Sequence, residues 1–330
     1  MGMKALVLGA TGQLGNNLVR ALLAKGDHVR VLVRPTSKLQ TLIGLDIKSV
    51  VGDLKDVESL ALACDGIQDV YHCAGYYPSR TIPVRAATTQ ALKEIRNVID
   101  AATRASIDRL VYASTLTTIG FPKDPNVVAN EDHQFASGYP DNPYLMPKAA
   151  MEREVMDAAK AGFPAVVVNP TLFFGPYDSK PTSGTQIVMI AKGLMPGYID
   201  GLVNVIDVRD VASGMIRAAE RGQIGTRYIL GNWNTTQKAL NSLIAKIADV
   251  SGPLVPLPFE LVRYGSKFGE WAFRNIFKTA PPVPGFFVEA IRHMQHYDCS
   301  KAIRELDYPR SPIEPAIRDA LTWFRDNRYL

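Results

Sequence analysis

Three glycines set the terms on which this chain can fold. Gly9, Gly12 and Gly15 stand at three-residue intervals in VLGATGQLGNNLVRALLAKG, between an apolar run and a stretch whose Leu14, Leu18, Ala21 and Leu22 recur at helical spacing until Gly26. Glycine at a strand-to-helix turn permits positive φ, lets helix and strand approach closely, and leaves the backbone bare beside a pyrophosphate. The helix that starts there points its unpaired N–H groups and positive dipole end at the phosphates. The spacing is one residue wider than the dehydrogenase fingerprint, and a purely structural turn is the alternative. The place of the turn in the first strand–helix unit favours a dinucleotide site.

Apolar runs at residues 5–8, 29–33, 49–51, 70–73, 110–113 and 165–168 alternate with helix-length segments, and Asp56 is placed to cap the helix through Ala63. This alternation predicts an α/β fold: a Rossmann-type, doubly wound parallel sheet with helices on both faces. From Phe173 the pattern loosens into Pro- and Gly-rich stretches. Residues 1–170 and 201–235 are therefore expected to form the dinucleotide-binding domain, with LVNVID and RYILG returning to the main sheet. Residues 171–200 and 236–330 are expected to form a smaller, mostly helical substrate-binding cap.

The length of 330 residues and 47% hydrophobic content suit an enzyme-sized core. Three scattered cysteines, Cys64, Cys73 and Cys299, make no disulfide framework and suggest a reducing cytoplasm. No apolar run reaches bilayer-spanning length, no export signal is read, and Leu6 stands where myristoylation needs Ser or Thr. The net charge of +5 is dispersed, so nucleic acid is not an expected partner, although anionic ligands are favoured.

The second strand ends in Arg34, followed by Lys38; an Arg there accommodates a 2′-phosphate, so NADP is favoured over NAD. Asp53, after the third strand, is a candidate for the adenine amino group or else a helix-leading cap. Tyr144 and Lys148, four apart in YLMPK, share one helix face. An ammonium beside a phenol favours the phenolate and fits the tyrosine for proton transfer near neutral pH. Ser114 and Thr115 add hydroxyls at the carboxyl edge of the fifth strand, where ligands of open α/β sheets bind.

The segments GATGQLG, GDL, HCAG, YASTLTTIG, YLMPK, NPTLFFGP, DVRDVA and YDCSKAIREL, spread over nearly the whole chain, resemble the extended short-chain dehydrogenase/reductases, also described as NAD-dependent epimerase/dehydratases. RVLVRPTSKL and VVVNPTLFFGPYDSKPT look most like dihydroflavonol-reductase-like proteins and hopanoid-associated sugar epimerases. The resemblance implies Tyr144 as acid/base, Lys148 as its partner and ribose contact, and Thr115, ahead of Ser114, as the hydroxyl that orients the substrate oxygen. It places Pro170 against the nicotinamide. Further cofactor contacts are Gly9, Thr11, Gly12, Gln13, Leu14 and Gly15 in the first motif, Asp53 and Leu54 in the second, and Ala74 in the third. A homodimer through the helices before the fifth and sixth strands would also fit.

Three places depart from the family. TTQALKEIRN keeps only Asn97 of an Asn/Gly/Thr/Asn motif, with Ala91 and Glu94 at the first Asn and the Gly. Pro147 precedes Lys148 where Ser is common, which is tolerated near a helix start. Val203 stands where sugar-nucleotide epimerases carry a pyrophosphate-binding Arg, leaving Arg209 or Arg227 to substitute. His293 and His296, three apart, lack a companion metal-ligand cluster, so no metal is expected. The aromatic run FELVRYGSKFGEWAFRNIF is expected to pack within the cap. Tyr76, Tyr77, Phe173 and Phe174 are expected around the cleft, favouring a partly apolar substrate. The leading expectation is hydride transfer between a nicotinamide and a carbonyl or hydroxyl carbon of a small molecule. The alternatives are a nucleoside-diphosphate-sugar epimerase or dehydratase with tightly bound NAD, and a non-catalytic NAD(P)-sensing module.

Overall fold

An unbroken apolar run, buried on both faces, places the first strand at the centre of the protein. In β1 (Lys4–Leu8), Ala5 and Val7 belong to one apolar layer, and Leu6 and Leu8 to the layer on the opposite face. The structure, a computed structural model, describes residues 2–76, 82–124, 126–135, 142, 144–252, 255–276, 288 and 295–330.

Parallel strands β2 (His28–Val33), β3 (Ile47–Val51), β4 (Asp69–His72), β5 (Arg109–Ala113), β6 (Ala165–Pro170) and β10 (Arg227–Leu230) join β1 in a seven-stranded sheet of order β10-β6-β5-β4-β1-β2-β3. The order reverses beside β1, which has β2 on one side and β4 on the other. The crevice at that reversal, beyond the carboxyl ends of the strands, is where this fold class takes ligands.

Helices α1 (Gln13–Lys25) and α6 (Val208–Arg221) cover one face; α2 (Val57–Cys64), α3 (Val84–Arg104) and α4 (Leu145–Lys160) cover the other. The spacing read from the sequence is what packs: Leu14, Leu18 and Leu22 of α1 are all core, each fully buried leucine contributing about 2 kcal/mol of transfer free energy. α1 ends at Gly26 in the left-handed region, and Asp56 caps α2 by accepting from the Glu58 N–H at 3.1 Å, both as the sequence predicts.

The late strands divide differently from expectation. RYILG supplies β10 of the main sheet, whereas LVNVID forms β9 (Leu202–Asp207) in a separate sheet between β7 (Leu172–Phe174) and β11 (Trp233–Thr236). Val203 and Val205 of β9 find their burial against α5 (Gly184–Ala191), α7 (Gln237–Ala248) and a helix at Ile313–Asp326, which share a third core with Phe174, Leu240 and Phe324. β8 (Gly197–Tyr198) and β12 (Val255–Pro256) form a separate short parallel pair.

The aromatic run also departs from expectation. It forms α8 (Phe259–Asn275), but Leu261, Tyr264, Phe268 and Trp271 are exposed on it, with Phe268 and Trp271 stacked 5.8 Å apart. Charges interrupt the run in sequence, yet the helical period gathers these four side chains on one outward stripe. The next helix, α9 (Ser300–Leu306), packs on the sheet beside α6, and α10 (Ile313–Asp326) is the third-core helix already described. Among the described residues no helix is long and apolar enough to cross a membrane.

Candidate active site

The three glycines prove to have three different reasons. Gly9 takes φ +87°, and a Cβ there would sit 2.6 Å from the backbone nitrogen of Ala74. A Cβ on Gly15 would run into the carbonyl of Gly9. Gly12 has ordinary extended backbone, φ −83°, and its Cβ would meet only the Gly9 oxygen, at 3.4 Å. The fold therefore needs glycine at 9 and 15 but not at 12. The room beside Gly12, together with an α1 N-terminus that carries no side-chain cap, fits a pyrophosphate held by the first-turn N–H groups of Gln13, Leu14 and Gly15.

The side chains around the turn serve the protein. The Gln13 amide donates to the Gly175 carbonyl at 2.8 Å, Leu14 lies in the core, and the Thr11 carbonyl accepts from Ser179 Oγ at 3.2 Å. At positions 13 and 14 the side chains are thus turned to the protein and the backbone is what remains for a phosphate. Arg34 and Lys38 are exposed beyond β2, the Arg34 N–H donating to Ser37 Oγ at 3.0 Å. Asp53 Oδ1 accepts from the Lys55 N–H at 3.0 Å. Asn97, the retained residue of the depleted family motif, donates to the Leu54 carbonyl at 2.9 Å and so ties α3 to the loop after β3. Pro170, the last residue of β6, is buried.

Tyr144 stands at the N-cap of α4. The Asn142 side chain accepts the N–H groups of Tyr144 at 2.8 Å and Leu145 at 3.2 Å, fixing where the helix starts. One turn on, Lys148 Nζ lies 5.0 Å from the centre of the Tyr144 ring. Burial pushes the Lys148 ammonium down from its usual 10.5 to about 8. His72, at the end of β4, is 0% exposed and its ring is 5.2 Å from that of Tyr112. Neither of its ring nitrogens has a hydrogen-bond partner among the described residues. Burial, with the Lys148 charge adding to it, pushes His72 down to about 4, so it is neutral at ordinary pH.

Of the two candidate hydroxyls, Thr115 opens the 3₁₀ turn after β5 and holds weak contacts with the Thr117 N–H and hydroxyl, at 3.4 and 3.3 Å. Ser114 is engaged inward: its hydroxyl donates to the carboxylate of Glu152. Glu152 is paired with Arg227 at 3.0 Å, their side chains 7% and 12% exposed. Sequence reasoning missed Glu152, Asn142, Asn169 and His72. The i+4 step from Lys148 to Glu152 was a signal available in YLMPKAAMERE.

Both arginines considered for a substrate pyrophosphate are paired with carboxylates, Arg227 largely buried and Arg209 half exposed. Arg209 is held by Asp207, with a shortest contact of 2.6 Å, and by Asp319 at 2.7 Å, while Arg227 is committed to Glu152. Val203 lies in the third core. Two of the four cleft aromatics are also accounted for by packing. Tyr76 joins the layer formed by α2, α3 and α4, and Phe174 is 1% exposed among Ile187, Val205 and Leu240. Phe173 is half-buried against the α1/α6 layer, and Tyr77 lies outside the described residues. His296 Nε2 sits 2.9 Å from the Thr235 carbonyl, and His293 is outside the described residues.

The same segments are matched by other proteins. The family model described as the NAD dependent epimerase/dehydratase family aligns with residues 5–231. A Synechocystis sp. protein with the provisional name dihydroflavonol 4-reductase is 35% identical over 98% of this chain and 95% of its own. Sterol demethylase protein B of Methylococcus capsulatus is 30% identical over 98% of this chain and 99% of its own. The crystal structure of a nucleoside-diphosphate-sugar epimerase from Pseudomonas aeruginosa superposes with a TM-score of 0.84 at 27% identity, covering both chains completely. With its glycine turn, sheet order and Tyr–Lys helix in place, the chain belongs to the NAD-dependent epimerase/dehydratase family and is an NAD(P)-dependent enzyme of the extended short-chain dehydrogenase/reductase type.

Proposed function

We propose that the enzyme transfers hydride between the nicotinamide and a carbonyl or hydroxyl carbon of a small molecule that carries no nucleoside diphosphate. The observation that carries this reading is the commitment of Arg209 and Arg227 to carboxylates, with Val203 buried where a pyrophosphate-binding Arg is otherwise expected. A bidentate cation is the usual partner of a diphosphate, and at those positions each arginine already has a carboxylate partner. The names of the Synechocystis and Methylococcus relatives, a reductase and a sterol demethylase protein, support a non-nucleotide substrate.

The bound nicotinamide would supply or accept the hydride. Tyr144 delivers a proton to the carbonyl oxygen as it gains charge, or removes one from the alcohol in the reverse direction. Lys148 holds positive charge beside the phenol and stabilises its anionic form. Thr115 donates to the same substrate oxygen and orients it. The uncapped α1 N-terminus and Gly12 hold the pyrophosphate, and Arg34 favours the 2′-phosphate of NADP.

Purified enzyme would be screened with NADPH and NADH against a broad panel of aldehydes and ketones, and against sugar nucleotides by thermal shift. Carbonyl-dependent oxidation of NADPH, with no shift from sugar nucleotides, is expected. A stabilising shift from sugar nucleotides, with NAD retained through purification, would establish instead the epimerase reading that the Pseudomonas structure supports.

A further inference from the structure

Tyr144, Lys148 and Glu152 follow one another down one side of α4, one turn apart, and the third of them is the hub of a buried polar cluster. Glu152 Oε2 accepts from Ser114 Oγ, from Thr118 Oγ1 at 2.5 Å and from Asn169 Nδ2 at 2.8 Å; Oε1 accepts from Arg227 Nη1 at 3.0 Å. Arg227 in turn donates to the Glu131 carbonyl at 2.8 Å and the His133 carbonyl at 2.9 Å. The carbonyl of Thr115 lies 2.8 Å from Thr118 Oγ1 and 3.2 Å from Asn169 Nδ2, two groups that also bond Glu152. One carboxylate thus ties the helix carrying Tyr144 and Lys148 to the backbone of Thr115, to the residue before Pro170, and to the edge strand β10.

A buried ion pair adds little net stability, because the desolvation of both charges offsets their attraction; fixing a unique arrangement is its better-attested use. The arrangement fixed here is the relative position of the phenol, the ammonium and the Thr115 hydroxyl. Resting on the acid–base reading of Tyr144 and Lys148, we propose that Glu152 is a positioning residue for the reaction, and that Ser114 acts through Glu152 rather than on the substrate.

The test uses the full-length chain with the carbonyl compound that wild type turns over fastest. In E152Q the negative charge is lost and one of the two acceptor oxygens becomes an NH2 donor, set against either Arg227 or the Ser114, Thr118 and Asn169 donors, and kcat falls about a hundredfold, the scale of a 1 Å misplacement. KM for the cofactor stays within about threefold, because the α1 turn is untouched. E152D, which keeps the charge, restores roughly a tenth or more of the lost rate. In a double-mutant cycle, S114A added to E152Q changes kcat by less than about twofold, as expected of two residues acting as one unit.

Wild-type kcat in E152Q, cofactor KM rising in step with the loss of kcat, or multiplicative S114A and E152Q effects would each overturn the proposal. If E152Q does not fold, the E152D split between kcat and KM decides. If wild type turns over nothing in the panel, or Y144F keeps full turnover, it is the acid–base reading that fails. Amide exchange then decides on Glu152: faster exchange over residues 114–119 in E152Q supports the tie, and unchanged exchange refutes it.

Discussion

Replacing the three glycines one at a time by alanine separates the cofactor cradle from the fold. In G12A the new methyl meets only the Gly9 carbonyl oxygen at 3.4 Å, an ordinary contact, on backbone of φ −83° that alanine adopts readily. Folding stability should move by no more than about 1 kcal/mol, and upward if the loss of chain freedom in the unfolded state dominates. In G9A the residue must hold φ +87° against the Ala74 nitrogen at 2.6 Å. The left-handed conformation alone costs about 1–2 kcal/mol, and displacing Ala74 adds overpacking of about 1–3 kcal/mol. G15A, whose methyl collides with the Gly9 carbonyl on helical backbone, should lose about 1–3 kcal/mol by overpacking alone. For a chain of 330 residues each kcal/mol moves Tm by about 1.4 °C, so G9A should melt about 3–7 °C below wild type, G15A about 1.5–4 °C below it and G12A within about 1.5 °C of it. Cofactor affinity should rank the other way for Gly12. A methyl in the space offered to the pyrophosphate should weaken NADPH binding by roughly 10- to 100-fold in a fluorescence titration. Wild-type affinity in G12A, or a G12A melting point lowered as far as that of G15A, would refute the claim that this space is kept for a ligand.

Two further outcomes follow from buried charge. Lys148 titrates near 8, so its ammonium supports Tyr144 only below that pH; the rate of carbonyl reduction should fall above an inflection near pH 8. In K148R, whose guanidinium stays charged, that inflection should disappear from the pH–rate profile, whereas its persistence would assign it to another group. His72 is held near 4 in the folded chain against 6.5 when solvated, so between those values the unfolded chain takes up a proton that the folded one refuses. Stability is therefore lost as pH falls through that window, by about 3 kcal/mol, and urea unfolding at pH 7 and pH 4 should show that extra loss in wild type relative to H72L. Asp69 and Asp178, which burial pushes up to about 6, act in the opposite direction but equally in both proteins. Equal losses in wild type and H72L would contradict it.

The sheet was legible because its signals are local: the continuous apolar run of β1, the leucine spacing of α1, the Asp56 cap and the Gly26 stop each act within a few residues. The distinction among the three glycines was not, since at Gly9 it depends on Ala74, which comes from the loop after β4. β9 reads as a core strand, but sequence periodicity cannot say which core; its partners β7 and β11 are settled by Val203 and Val205 packing under α7 and α10. The Tyr–Lys pair was readable because one helix turn brings it together. The Glu152 cluster was not, since its members Ser114, Asn169 and Arg227 lie 38, 17 and 75 residues from Glu152 and meet only once β5, β6 and β10 are side by side. Phe174 shows the opposite error: an aromatic leaving the active-site strand was read as cleft lining, and a third core claimed it.

The account turns on the phenol that α4 sets beside Lys148. Single-turnover hydride transfer, followed by NADPH absorbance with saturating carbonyl substrate in wild type and Y144F, examines that claim most directly. Removal of one hydroxyl should leave the cofactor dissociation constant unchanged within about twofold while slowing transfer by about 10²–10⁴-fold, the range for loss of a positioned acid. Transfer at the wild-type rate in Y144F, with cofactor bound equally well, would contradict it.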